Sequence, residues 1–359
     1  MIFVALRMPA VWTDRHRTHA PGCGVWLGVT IPGDEEPDRG DALRDALDAA
    51  GVDRHEPTSH GDAPVLAVHT AEMVEFLSRS HADWVVAGHL DDPGQPLVVP
   101  YVFALPQLTT GRRAPRPAAI RAEVGLYAMD TMTPIGPGTY EAARAAVDCA
   151  LTAADLVMGG APAAYAAVRP PGHHVGPGFF GGSCYLNNAA ITAQHLRDCG
   201  AGRVAIIDID AHHGNGTQEV FWERDDVWFG SVHVDPATGW FPHFAGFAEE
   251  RGAGPGAGSN RNAPLAPGAG DDKWIRTVQD LVAEARGSRP EAAVISLGVD
   301  AAAGDPESPL GVSHSGFRAA GSALAGIGVP TVFVQEGGYD VAALGDLVLA
   351  VLGGFEAGS

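Results

Sequence analysis

Four apolar stretches of this chain stop abruptly at residues able to bind a metal or carry a proton. They are AAYAAVRPPGHH (163–174), VAIIDIDAHHGNG (204–216), AVISLGVD (293–300) and TVFVQEGGY (331–339). Runs of Val, Ile and Ala of this length suit strands buried on both faces of a parallel sheet. Open α/β sheets bind ligands at the carboxyl ends of their strands. His173, His174, Asp208, Asp210, His212, Asp300 and Tyr339 are therefore expected to converge. Carboxylates, imidazoles and a phenol gathered in one place point to a metal-dependent hydrolase.

The rest of the pattern supports an α/β chain. Residues 38–50 carry helical periodicity that stops at Gly51, and 71–77 read as a second short helix. A long helix is expected from Thr139, as N-cap, to Gly159-Gly160. Strands and helices then alternate: helix 187–199, strands 204–210 and 227–233, helix 273–286, strand 293–298, helix 315–326, strand 331–335 and helix 344–355. Such alternation implies right-handed βαβ units and a mainly parallel sheet with helices on both faces. No internal repeat or linker divides residues 1–359, so one catalytic domain is expected. Residues 88–122 break the pattern, with Pro, Gly and turn residues interspersed with aromatics. Long irregular segments inside compact domains are usually functional, and this one reads as an active-site or subunit-contact loop. The glycine-rich 251–260 stretch lacks the strand–loop–helix setting and the lysine of a phosphate-binding loop.

Composition narrows the partners. A formal charge of −20 repels nucleic acid and anionic membranes, and attracts cations. No run reaches the roughly 18 consecutive apolar residues that span a bilayer, and the first residues do not resemble a signal peptide. Cys23, Cys149, Cys184 and Cys199 show no CxxC spacing, which fits reduced thiols in a cytoplasmic protein.

The chemistry follows from spacing. Asp210 and His212 are two apart, so in an extended segment both point to one side. Asp300 ends another strand and can supply a third ligand. Three such donors leave open positions for water and a substrate carbonyl, as catalytic zinc sites do. Binuclear ureohydrolases such as arginase use Asp-x-His-x-Asp; here Asp210-Ala-His212-His213 runs on to Gly214, so one catalytic ion is expected. Asp208 lies deeper in its strand and needs a partner, either a histidine or a monovalent cation. His173 and His174 follow a stiff Arg-Pro-Pro-Gly exit and can serve as base and electrostatic partner. His213 points the other way and reads as structural. Tyr339, after Gly-Gly, can donate to an oxyanion.

RPPGHH, DIDAHHGNGTQ, SLGVD and QEGGY together resemble the histone deacetylase superfamily, in its bacterial acetylpolyamine amidohydrolase branch. GLYAMDTMTPIGPGTYEAARAA (125–146), HFAGFAEERGAG (243–254) and VLGGFE (351–356) extend the resemblance over most of the chain. It implies a single-domain arginase/deacetylase-type fold carrying one zinc, or ferrous iron, on Asp210, His212 and Asp300. His174 is implied as main base, His173 as its partner that later protonates the amine, and Tyr339 as the group that polarises the carbonyl. Asp208 is implied to pair with His173. With Ser231 and the carbonyls of Asp210, His212 and Val232, it is also implied to bind potassium. Asn215 falls where some relatives carry an Asp beside the second histidine; a neutral partner leaves His174 less readily protonated. The 88–122 insertion is implied to form a homodimer and narrow a substrate channel lined by Phe179, Phe180, Ser183 and Phe241.

Two departures bear on substrate. Ser183 replaces an aromatic common in polyamine-type relatives, and the insertion is basic at Arg112, Arg113 and Arg116, with Asp91, Asp92 and Glu123 as its nearby acids. The expected activity is deacetylation of a small acetylated amine such as an acetylpolyamine. The alternatives are protein acetyl-lysine or a specialised-metabolite amide as substrate on the same fold, or a catalytically silent binding module.

Overall fold

The computed structural model describes residues 6–359. In chain order its strands are β1 (Ala10–Val11), β2 (Cys23–Trp26), β3 (Val29–Pro32), β4 (Arg54–His55), β5 (Ala163–Ala166), β6 (Val204–Asp208), β7 (Val227–Val234), β8 (Asn260–Leu265), β9 (Ala292–Leu297) and β10 (Thr331–Gln335). Its helices are α1 (Pro37–Ala49), α2 (Ala63–Leu66), α3 (Ala71–Val86), α4 (Ile120–Tyr127), α5 (Thr139–Met158), α6 (Asn188–Asp198), α7 (Asn215–Phe221), α8 (Asp271–Gly287), α9 (His314–Ala325) and α10 (Val341–Gly358).

Eight strands form one sheet in the order β4-β1-β5-β10-β9-β6-β7-β8, and every pairing in it is parallel. The apolar runs explain why. In β6, Val204 and Ile206 face one core while Ala205 and Ile207 face the other. A strand apolar on both faces has no solvent side, so helices must cover each. On one face α3, α4, α5 and α6 contribute to the core, and on the other α1, α8, α9 and α10. β2 and β3 stand apart as an antiparallel hairpin.

Several boundaries differ from the sequence expectation. Thr139 is the first helical residue and not the cap; Gly138, at φ 77°, takes the cap position. The Thr139 hydroxyl is held instead by His19 Nδ1 at 2.9 Å. The helix expected at 71–77 runs on to Val86, because Met73, Phe76, Leu77, Ser80 and Trp84 continue one buried stripe. The glycine-rich 251–260 stretch ends in β8, an unexpected edge strand whose Asn260 and Asn262 are polar yet buried. β6 stops at Asp208, so Asp210 and His212 stand on the turn beyond the ladder. Helix α10 is long and apolar enough to cross a membrane, although Asp346 interrupts its apolar run; half of it is buried, and it packs on α9 and α1.

Residues 88–122 are mostly irregular, with a single 3-10 turn at Pro106–Thr109. They are pinned to the body by the Val98–Ile135 bridge and by Trp84 Nε1 donating to Gln95 O at 2.8 Å. The arginines are bound back onto acids: Arg113 to Glu72 at 2.9 Å, Arg116 to Glu75 at 3.0 Å and to Glu123 at 2.6 Å.

Candidate active site

Strand register sets the first layer. Asp208 on β6 sits beside Ser231 on β7 and Ser296 on β9, all fully buried. One turn beyond, Asp210 and His212 meet Asp300 from the end of the neighbouring strand β9. Their donor atoms lie within 4.8 Å of one another. His212 Nδ1 is 3.2 Å from Asp210 Oδ1 and 2.9 Å from Asp300 Oδ2. Backbone amides aim the carboxylates: Gly337 N donates to Asp210 Oδ2 at 2.7 Å, and Ala211 N to Asp300 Oδ1 at 2.7 Å. Glycine is needed where strands close on the cluster. A Cβ at Gly298 would strike the Asp210 carboxylate, and one at Gly337 would lie 2.6 Å from both Asp210 Oδ2 and Asp300 Oδ2.

These residues fit a divalent cation. Two carboxylates and one imidazole form an oxygen–nitrogen set typical of catalytic zinc. Burial and the Asp210 charge push the Asp300 carboxyl up to about 8. Two buried carboxylates this close are short of positive charge, which a dication supplies.

The two histidines differ in protonation. His173 Nδ1 is 2.9 Å from Asp208 Oδ2. Burial lowers its pKa, but the Asp210 and Asp208 carboxylates outweigh burial and push it up to about 10. His174, with its ring 4.0 Å from that of His173, goes the other way. Burial, and then repulsion from His173 and His212, carry it well below the ordinary imidazole value. Its Nδ1 is 2.7 Å from Asn215 Oδ1. An amide oxygen only accepts, so Nδ1 of His174 carries the proton and Nε2 keeps a free lone pair.

Residues not expected from sequence hold this pair and the tyrosine. Buried Glu336 accepts from Gly172 N at 2.7 Å and His173 N at 3.1 Å, fixing the Pro-Pro-Gly exit. Arg39 of α1 lies 4.7 Å from the Tyr339 ring centroid and donates to Gly338 O and Glu336 O, each at 2.7 Å. Its charge is balanced by Glu35 at 2.9 Å. Burial raises the Glu35 pKa, yet Arg169, His19 and Arg39 hold it at about 2. Burial pushes the Tyr339 phenol well above its usual value against the pull of Arg39, so it stays an O–H donor.

His174, His212 and Tyr339 open onto a cavity of about 320 Å³. Ser183 and Phe241 line it, as expected; the Phe241 ring stands edge-on to His174 at 4.9 Å. Phe180 does not line it. It is 1% exposed, stacked between Phe76 and Tyr185 in the core. Phe179 is also absent from the wall and packs near Gly176. The few acids near the insertion do not line the cavity either. Asp91 and Asp92 are exposed outside the cavity, and Glu123 is taken by Arg79 and Arg116. Asp34, Glu35, Glu36, Asp130 and Glu307 line the cavity, together with the apolar Trp26, Ile31, Met132 and Pro134. Burial and Asp34 push Glu307 up to about 7.

A histone deacetylase domain model matches residues 34–355. Acetylpolyamine amidohydrolase 1 of Pseudomonas aeruginosa is 41% identical over 350 residues, 97% of this chain and 99% of that protein. The acetylpolyamine amidohydrolase of Mycoplana ramosa is 39% identical over 349 residues, again 97% and 99%. The crystal structure of the acetylpolyamine aminohydrolase from Burkholderia pseudomallei superposes with a TM-score of 0.91 at 38% identity, covering 98% of this chain and 99% of that one.

Proposed function

This chain belongs to the histone deacetylase family, in its acetylpolyamine amidohydrolase branch, and on that premise we propose that it removes acetyl groups from small N-acetylated di- and polyamines. One observation carries the substrate reading: the cavity beside His174, His212 and Tyr339 is lined by both apolar side chains and carboxylates. A methylene chain suits the apolar side chains and a distal ammonium the carboxylates. Residues 1–359 act in this reading as one catalytic domain.

Asp210, His212 and Asp300 would hold a divalent cation, zinc or ferrous iron. When bound, it polarises the acyl carbonyl and acidifies the attacking water. His174 takes the water proton at Nε2. Tyr339 donates its hydroxyl proton in a hydrogen bond to the oxygen that becomes negative as water adds. His173, kept cationic by Asp208, hands its Nε2 proton to the departing amine nitrogen. Asp208 and Ser231, buried side by side, are the proposed potassium-binding pair, and the Asp208 carboxylate steadies His173.

Turnover of acetylputrescine should exceed that of an acetyl-lysine peptide, and be lost with a chelator and restored by zinc. Glu307→Leu should raise KM for acetylputrescine about 10–100-fold, as loss of a charged hydrogen bond predicts, with little effect on an acetylated monoamine. Equal loss on both substrates would remove the ammonium assignment. Preference for the peptide would favour the protein-deacetylase reading.

We also propose a homodimer through 88–122, where Tyr101, Leu105 and Leu108 are exposed. Sedimentation at micromolar concentration should find two chains per particle; a single chain would refute it.

A further inference from the structure

A second cluster of metal-type donors lies at the other end of the sheet. Helices α5 and α6 run back against the strands. Short connections after them lead into β5 and β6, so their last turns sit at the strand starts, away from the active site. There two imidazoles converge on one carboxylate. Asp155 Oδ1 is 2.9 Å from His195 Nε2, and Asp155 Oδ2 is 2.9 Å from His60 Nε2. Cys199, one turn after His195, places Sγ 3.7 Å from the same His195 Nε2. His60 is anchored by its own amide donating to Asp148 Oδ1 at 3.1 Å, and its buried Nδ1 has no hydrogen-bond partner.

We infer that His60, Asp155, His195 and Cys199 form a second cation site, suited to zinc or a similar thiophilic metal. Two nitrogens, one carboxylate and one thiolate make a closed structural donor set; hard cations such as magnesium or calcium avoid sulfur. With zinc–sulfur about 2.3 Å and zinc–nitrogen about 2.0–2.1 Å, a tetrahedral sulfur–nitrogen edge is roughly 3.6 Å, close to the 3.7 Å between Cys199 and His195. The two nitrogen–oxygen pairs are at hydrogen-bond length on different oxygens of Asp155, so a metal taking both imidazoles displaces those protons and draws the rings toward one another. Among the described residues, the groups with all donors already within 4.8 Å are the active-site cluster and His173–Cys184–Glu336. Binding here therefore draws in Cys199, free to turn at the exposed C-cap of α6, and the His60 loop. Two helix C-termini end at the site and favour positive charge.

The test is titration of the metal-stripped full-length protein with cobalt(II). The proposed catalytic ligands contain no sulfur, and a thiolate-to-cobalt charge-transfer band that disappears in Cys199→Ala reports the second site, whereas one from Cys184 beside the active site would survive that substitution. Wild type should show the band, and Cys199→Ala should lose it together with one bound equivalent. His195→Ala should do the same. Because Cys199 is exposed, its replacement leaves the core intact, and turnover of acetylputrescine should change less than twofold. No band in the wild type, or a band surviving Cys199→Ala, overturns the assignment. In either case the active-site equivalent is counted separately, so failure here is distinct from failure of the catalytic reading.

Discussion

His174→Ala is expected to lower kcat by about 10²–10⁴-fold, the usual worth of a positioned general base, while binding of the catalytic metal stays within a few-fold. His174 is no member of the carboxylate–imidazole cluster, so its loss removes proton transfer and leaves the cation's ligands alone. The wild-type pH profile should carry the same signature. Burial and the neighbouring His173 charge lower the pKa of His174. A base with a lowered pKa remains neutral, and so active, further into acid. The acid limb of kcat/KM is therefore expected below the 6.5 of an unperturbed imidazole. Asn215→Asp should move that limb upward, since a carboxylate at Nδ1 favours the charged ring. Near-normal turnover in His174→Ala would assign the base elsewhere, with the adjacent His173 the next candidate.

Tyr339→Phe is expected to reduce kcat about 10²–10³-fold, the cost of losing one oxyanion donor, with KM little changed. The substitution is unusually clean here. A phenylalanine ring keeps its place over Arg39, 4.7 Å away, and the amide of residue 339 still donates to Asp305 Oδ2 at 2.8 Å. Only the hydroxyl is lost, so a change in kcat alone isolates its contribution to the transition state. An increase in KM with unchanged kcat would make Tyr339 a substrate-binding residue and sink its role in stabilising the oxyanion.

How much of this was legible in the sequence follows from where each contact is made. Asp210, His212 and Asp300 were readable because parallel strands deliver their ends to one edge, and a chemical residue after an apolar run is visible in one dimension. That Asp208 needs a partner was readable from its burial, but the choice of His173 came only from the family resemblance. Glu35, Arg39 and Arg169 were not readable. They sit before or within α1 and after β5; Arg39 reaches Glu336 and Gly338, and Arg169 reaches Glu35, only across the assembled fold. The cavity acids were hidden for a related reason. The sequence showed only Asp91, Asp92 and Glu123 as acids near the insertion, and the arginines of the insertion and of α3 neutralise Glu123. Glu307 comes from the loop after Asp300, where no periodicity marks it. Phe180 was misassigned because an aromatic near a motif can serve the core as well as a channel, and only its stacking between Phe76 and Tyr185 decides.

Arg39 ties the catalytic phenol to the opening helix, nearly the whole chain away. A shortened version beginning at α5 would retain every proposed metal ligand, both histidines and Tyr339 itself. It would lack the guanidinium platform beneath the ring and the carboxylate that balances it. The front of the polypeptide is thus part of the reaction chamber, and trimming it removes working parts from the centre.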